Sequence, residues 1–196
     1  MCSSDLEAAV RTVSKGAGGG TVAYFGIPLI STHVAFLIDV SGSMSAKIGT
    51  DAKRTRLDEA KRQLQVAIDK LEEDREFNVI VYDTGVNPFW DGIRKAKPKD
   101  KADAIDRVAK LAVRGSTNIH DALERAFADA AVDTVYLLTD GQPSAGKITD
   151  VQELADEVRR WNYRRQVVIH CIAVGEESPL LKRLSAESGG RYVFVR

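Results

Sequence analysis

The chain has 196 residues, with 28 basic and 28 acidic side chains, and therefore carries no formal net charge at pH 7. This length suits one compact domain, since domains run to about 100–200 residues. Because the charges balance, the protein as a whole has no net electrostatic attraction for nucleic acid or anionic lipid. We therefore expect neither as a principal partner. No apolar run approaches the roughly 20 residues that span a bilayer, and no secretory signal pattern opens the chain. We therefore expect a soluble protein without membrane insertion, and the sequence assigns it no compartment.

Residues 1–33 divide into segments of different composition. Ser4 and Glu7 have capping-box spacing, and the apolar residues that follow recur at helical intervals, which predicts a helix over 5–15. A glycine-rich stretch over 16–20 then predicts a linker. We expect residues 1–20 to be this helix and linker, residues 21–33 to be an extended arm or an added strand, and residues 34–196 to be the main domain.

The first part of this main domain alternates strand and helix. Apolar runs predict strands over 34–39 and 77–83, and helical spacing of apolar residues predicts a crossover helix over 55–73. A short strand over 86–90 follows a turn. Because Pro88 cannot donate to a central ladder, we expect this strand at an edge of the sheet, antiparallel to its neighbour.

The same alternation continues to the end of the chain. The patterns predict strands over 134–140, 167–175 and 191–195, and helices over 100–113, 118–131, about 149–163 and 179–188. Strands separated by crossover helices form a mostly parallel sheet with helices on both faces. The predicted fold is thus α/β: a doubly wound, Rossmann-like sheet with one antiparallel edge strand.

Oxygen-bearing side chains stand where two of these strands end. Asp39, Ser41 and Ser43 follow one buried strand, and Asp140 follows another. Thr117 directly precedes a predicted helix. Ligands of doubly wound sheets bind outside the carboxyl ends of the strands. Carboxylates and hydroxyls without thiol or imidazole suit a small hard cation such as Mg²⁺.

These residues resemble the metal-ion-dependent adhesion site of the von Willebrand factor type A domain family. The five positions are Asp39, Ser41, Ser43, Thr117 and Asp140, and the resemblance covers roughly residues 32–196. It implies that the two serine hydroxyls bind the cation directly, that Thr117 does so when a ligand is present, and that both aspartates act mostly through water. Members of the family usually carry one more helix after the last strand, which this sequence lacks.

The resemblance implies a binding module and not an enzyme. We expect Mg²⁺ or Mn²⁺ at the site, with Ca²⁺ as an alternative, and a protein partner that presents an exposed Asp or Glu. We also expect the chain to be part of a larger protein. Such an ion keeps several of its own waters, so a partner's carboxylate could replace one of them.

Two alternatives stay open. The domain could be a structural module with a residual metal site. It could also be a Mg²⁺-dependent phosphohydrolase of the haloacid dehalogenase type, with Asp39 as nucleophile. Such enzymes usually carry a second acid two residues later, where this chain has Ser41.

Overall fold

The computed structural model describes residues 22–49 and 51–196. The predicted helix over 5–15 and the linker over 16–20 lie outside the described residues. Residues just before the main sheet form a two-stranded antiparallel hairpin, β1 (Ala23–Tyr24) and β2 (Ile27–Pro28). This hairpin is separate from the main sheet. Its Tyr24 ring packs edge-on against Phe36, with ring centroids 5.4 Å apart, so the hairpin is part of the core.

The predicted strands and helices follow in the expected alternation, with three further short strands at Lys47–Ile48, Asp51–Thr55 and Arg94–Lys95. The strands are β3 (His33–Asp39), β4 (Lys47–Ile48), β5 (Asp51–Thr55), β6 (Glu76–Tyr82), β7 (Val86–Pro88), β8 (Arg94–Lys95), β9 (Thr134–Thr139), β10 (Val168–Val174) and β11 (Tyr192–Val195). The helices are α1 (Arg56–Asp69), α2 (Pro98–Ala109), α3 (Ile119–Ala128), α4 (Val151–Arg165) and α5 (Pro179–Ser188). Among the described residues, none of the helices combines the length and the apolar character needed to cross a membrane.

The main sheet has seven strands, in the order β11-β10-β9-β3-β6-β7, with β8 also paired to β6. The pairs among β11, β10, β9, β3 and β6 are parallel, whereas β7 and β8 run antiparallel to β6. The predicted α/β fold and its antiparallel edge are therefore confirmed, and the same edge holds a second short strand, β8. The hairpin β4–β5 was not predicted.

Helices cover both faces of the sheet because alternate residues of each central strand point to opposite sides. On β3, Val34, Phe36 and Ile38 pack with α1 and α2, whereas Ala35 and Leu37 pack with α3, α4 and α5. These five side chains are almost fully buried. Burying a large aliphatic or aromatic side chain contributes about 1.5–3 kcal/mol, so the central strands and their carboxyl ends are firmly placed.

Helix α1 begins at Arg56 for a local reason. The Thr55 side chain accepts a hydrogen bond from the backbone N–H of Asp58, and the Asp58 carboxylate accepts one from the backbone N–H of Thr55. This reciprocal capping box satisfies two N–H groups that a helix end would leave unpaired. The start of the helix, and with it the position of Arg56, is therefore fixed.

His170 on β10 makes the stability of the folded protein depend on pH. The backbone N–H of Arg191 donates to His170 Nδ1 over 2.9 Å, which requires that nitrogen to be unprotonated. Burial, together with the nearby Arg191 charge, lowers the pKa of His170 to about 4. The native state thus binds this proton more weakly than the unfolded chain, whose histidine titrates near 6.5.

We expect the free energy of unfolding to fall as the pH drops from about 6.5 to about 4, because protonation of His170 then favours the unfolded chain. Urea titrations at several pH values measure this slope. His170→Gln does not titrate, so its stability should fall less over the same range. Equal slopes for the two proteins would contradict the assignment.

Candidate functional site

Two aspartates lie at the ends of neighbouring strands, at the point where the strand order of the sheet reverses. Asp39 ends β3, Asp140 follows β9, and the two strands are parallel neighbours with Ile38 opposite Leu138. The chain leaves β3 toward β6 on one side, and leaves β9 toward β10 on the other. Such a switch point leaves a crevice at the carboxyl ends of the strands, where ligands of doubly wound folds bind.

Asp39 is fully buried at the bottom of this crevice. Its Oδ1 accepts a hydrogen bond from the backbone N–H of Ser41 at 2.7 Å, and its Oδ2 accepts one from the Thr139 hydroxyl. Burial raises the pKa of Asp39 to about 6, although both hydrogen bonds favour the ionised form. A nearby positive charge would therefore stabilise this carboxylate strongly.

The two serines lie in the turn that follows β3. Ser41 directly precedes a short 3-10 turn, Gly42–Ser45, which contains Ser43. The two hydroxyl oxygens are 3.1 Å apart, and the Ser43 hydroxyl donates to Asp140 Oδ1 over 2.7 Å. These contacts join the loop after β3 to the loop after β9.

Thr117 comes from a third loop, just before α3. The backbone N–H of Gly42 donates to the carbonyl oxygen of Gly115 over 3.2 Å, and the backbone N–H of Thr117 donates to the Ser144 hydroxyl over 2.9 Å. A β-carbon placed on Gly141 would lie 3.9 Å from both the Ser43 and the Thr117 hydroxyl oxygens. The structure thus brings the five predicted site residues into one cluster.

The spacing of these oxygens fits a small octahedral cation. Mg²⁺ holds its oxygen ligands at about 2.1 Å, so neighbouring ligands of an octahedron lie about 3.0 Å apart. The separation of 3.1 Å between the Ser41 and Ser43 hydroxyl oxygens is close to this value. Hydroxyl and carboxylate oxygens are also the donor types that Mg²⁺ and Mn²⁺ prefer.

Arg56 was missed by the sequence analysis. Its Nη1 donates to Asp140 Oδ2 over 2.8 Å, and its side chain is only 14% exposed. Among the described residues, Arg56 Nε is the one buried side-chain nitrogen or oxygen without a hydrogen-bond partner. Arg56 pairs with an acid 84 positions away in the sequence, so no local pattern marked it as a site residue.

Gly175 makes room for this arginine. A β-carbon at position 175 would lie 2.3 Å from Arg56 Nε and 2.4 Å from its Cζ. The backbone φ of Gly175 is +81°, a conformation that favours glycine. The guanidinium therefore lies directly over the backbone at the end of β10.

His120, three residues after Thr117, belongs to the packing beneath the site. It is 2% exposed, and its Nδ1 lies 2.7 Å from Asp121 Oδ1. Its ring is 5.3 Å from that of Trp161 on α4. His120 thus connects the start of α3 to α4.

Thr139 was also missed as a site residue, and it supports Asp39. In Thr139→Val, Asp39 Oδ2 loses its donor while buried. We expect the free energy of unfolding at pH 8, in the presence of a chelator, to fall by about 1–3 kcal/mol. Thr139→Ser keeps the hydroxyl and should lose much less in the same urea titration. A loss in Thr139→Val no larger than that in Thr139→Ser would contradict this role of the hydroxyl, because valine keeps the methyl group and lacks only the hydroxyl.

Comparisons with known proteins agree with the fold. A family model described as the von Willebrand factor type A domain matches residues 32–194. The inter-alpha-trypsin inhibitor heavy chain H3 of Rattus norvegicus is 28% identical over 134 residues, covering 62% of this chain and 14% of that protein. Heavy chain H4 of Homo sapiens is 26% identical over 201 residues, covering 92% of this chain and 20% of that protein. The chain thus spans a fifth or less of the length of these relatives.

Solved structures share the same architecture. A von Willebrand factor type A protein from Catenulispora acidiphila superposes with a TM-score of 0.71 at 24% identity, covering 85% of this chain and 39% of that chain. Proximal thread matrix protein 1 from the mussel byssus, with a zinc-occupied MIDAS motif, gives 0.59 at 22% identity, covering 83% and 41%. Manganese-loaded TRAP protein of Plasmodium vivax gives 0.57 at 18% identity, covering 83% and 67%. At these identities the likeness is one of fold.

Proposed function

Since the chain belongs to the von Willebrand factor type A domain family, we propose that it is a metal-dependent protein-binding module. In this proposal the five residues of the cluster hold Mg²⁺ or Mn²⁺, and the bound ion engages an acidic side chain of a partner protein. The five residues are Asp39, Ser41, Ser43, Thr117 and Asp140.

One observation carries the proposal: hydroxyl and carboxylate oxygens from three separate loops converge at the switch point of the sheet. Ser41 and Ser43 supply neutral oxygens 3.1 Å apart, and Asp140 accepts a hydrogen bond from Ser43. Neutral ligands leave a divalent ion electron-poor, and this favours a further, anionic oxygen from outside the protein. Asp39 and Asp140 are buried and would balance the charge of the ion mainly through bound water.

The relatives are compatible with a divalent ion but do not select one. Zinc occupies the motif of the mussel protein, and manganese is present in the Plasmodium protein. The oxygen-only donor set of this chain favours Mg²⁺ or Mn²⁺ over zinc, which prefers nitrogen and sulfur.

We propose binding and not catalysis. A phosphohydrolase of the haloacid dehalogenase type would place a second acid at position 41, but the Ser41 hydroxyl there lies against Ser43. The two Asp39 oxygens are also engaged by Ser41 N–H and by Thr139, which leaves this carboxylate poorly placed for nucleophilic attack.

Calorimetric titration with Mn²⁺ tests the metal site. The wild type should bind one ion, and Ser41→Ala/Ser43→Ala should weaken binding by about 100-fold or more, because even residues behind the direct ligands contribute 10–100-fold. Ser45 is a matched control in the same turn, since its hydroxyl donates to the Gly42 carbonyl oxygen. Ser45→Ala should retain wild-type affinity. Absence of Mn²⁺ binding by the wild type, with and without acetate, would refute the proposal.

Acetate is a simple probe for the partner's carboxylate. We expect acetate to tighten Mn²⁺ binding to the wild type by about fivefold or more, within the usual range of coupling between two ligands. Acetamide has nearly the same shape without the charge and should have little effect. If the two compounds act alike, the carboxylate part of the proposal is wrong, even if the metal binds.

A further inference from the structure

We infer that Arg56 makes the metal site dependent on an anionic ligand, by keeping the metal-loaded site positively charged. This inference rests on the proposed function and concerns a residue outside the five metal-site positions. Arg56 would weaken metal binding in the absence of a partner and strengthen the coupling between metal and partner.

The first argument is that Arg56 is held at the site. Its Nη1 is 2.8 Å from Asp140 Oδ2, on the same carboxylate whose Oδ1 accepts from Ser43. The capping box of α1 fixes its backbone, and Gly175 leaves space for its guanidinium. The side chain is 14% exposed and that of Asp140 is fully buried, so water screens this pair weakly.

The second argument is the sum of the charges. Ionised Asp39 and Asp140 contribute two negative charges, and Arg56 contributes one positive charge, so the cluster without metal carries a net charge of about −1. A divalent ion changes this to about +1. Without Arg56, the two carboxylates alone would neutralise the ion. The partner's carboxylate would therefore restore neutrality in this protein, and would add excess negative charge in a variant without Arg56.

The third argument is the unpaired Nε of Arg56. This buried N–H has no hydrogen-bond partner among the described residues. Such a group is costly, and the cost is difficult to explain if the residue served only to cap Asp140. The guanidinium thus keeps one N–H donor unpaired beside the site, in addition to the pairing of its Nη1 with Asp140.

The test is calorimetric titration with Mn²⁺, with and without saturating acetate, on the wild type, Arg56→Gln and Arg56→Lys. Without acetate, Arg56→Gln should bind Mn²⁺ about tenfold more tightly, because a like charge is removed at short range. The ratio of the two affinities, which measures the coupling to acetate, should fall by about tenfold. Arg56→Lys keeps the charge and should retain most of the coupling.

Arg183→Gln is a matched control. Arg183 is also a partly buried arginine paired with acids, but its partners are Asp156 and Glu187 on α4 and α5. Removing its charge should change neither affinity. Circular dichroism and unfolding in chelator establish that each variant is folded before titration.

Gly175→Ala provides a second route to the same question if Arg56→Gln fails to fold. The new β-carbon would collide with the guanidinium and displace it from Asp140, while the charge stays in the protein. Tighter Mn²⁺ binding and weaker coupling are expected here as well. The effect should be smaller than in Arg56→Gln, because the displaced charge is still nearby.

The outcomes separate this inference from the proposed function. If the wild type binds no Mn²⁺ in either condition, the proposed function fails and this inference fails with it. If the wild type shows coupling to acetate but Arg56→Gln behaves identically, the inference alone is overturned. Weaker Mn²⁺ binding by Arg56→Gln would also overturn it, and would make Arg56 a residue that only positions Asp140.

Discussion

The structure depends on burying two carboxylates of like charge at the ends of neighbouring parallel strands. A buried carboxylate without compensation costs several kcal/mol, so the surrounding groups are best understood as compensation. Asp39 accepts from a backbone N–H and from Thr139, and Asp140 accepts from Ser43 and is paired with Arg56. Burial still raises the pKa of Asp39. The folded protein without metal is thus short of positive charge at one defined point, and this shortage is the physical reason for proposing a cation site there.

The loops around this point are joined to one another before any ligand arrives. Backbone hydrogen bonds connect Gly42 with Gly115, Arg114 with Val40, and Ser144 with Thr117. These bonds join three loops that are distant in sequence but lie together at the carboxyl ends of the strands. Groups that are already ordered lose less entropy on binding, so such a site can reach useful affinity with few ligands. The packed strands below supply the rigidity that the loops alone would lack.

Much of the fold and most of the oxygen cluster could be predicted from the sequence, because both follow from local patterns of residues along the chain. Apolar runs and helical spacing gave the central strands and helices, and the strand ends marked Asp39 and Asp140. The hairpins at 23–28 and 47–55 were not recognised, since three of their strands have only two residues and the fourth, β5 (Asp51–Thr55), has no apolar alternation to detect. Arg56 was missed for a different reason: its partner Asp140 is 84 positions away, and only the order of the strands brings the two together. The predicted metal ligation stays a prediction.

The placement of the two tryptophans has an optical consequence. Trp161 packs against His120, at the beginning of the helix that follows Thr117, on one face of the sheet. Trp90 packs against Phe77 on the opposite face. The emission of an indole depends on its immediate surroundings, so a displacement of the start of α3 would alter the fluorescence of Trp161. Trp161 is therefore placed to report a displacement of this helix start through the intrinsic emission of the protein, without an attached label.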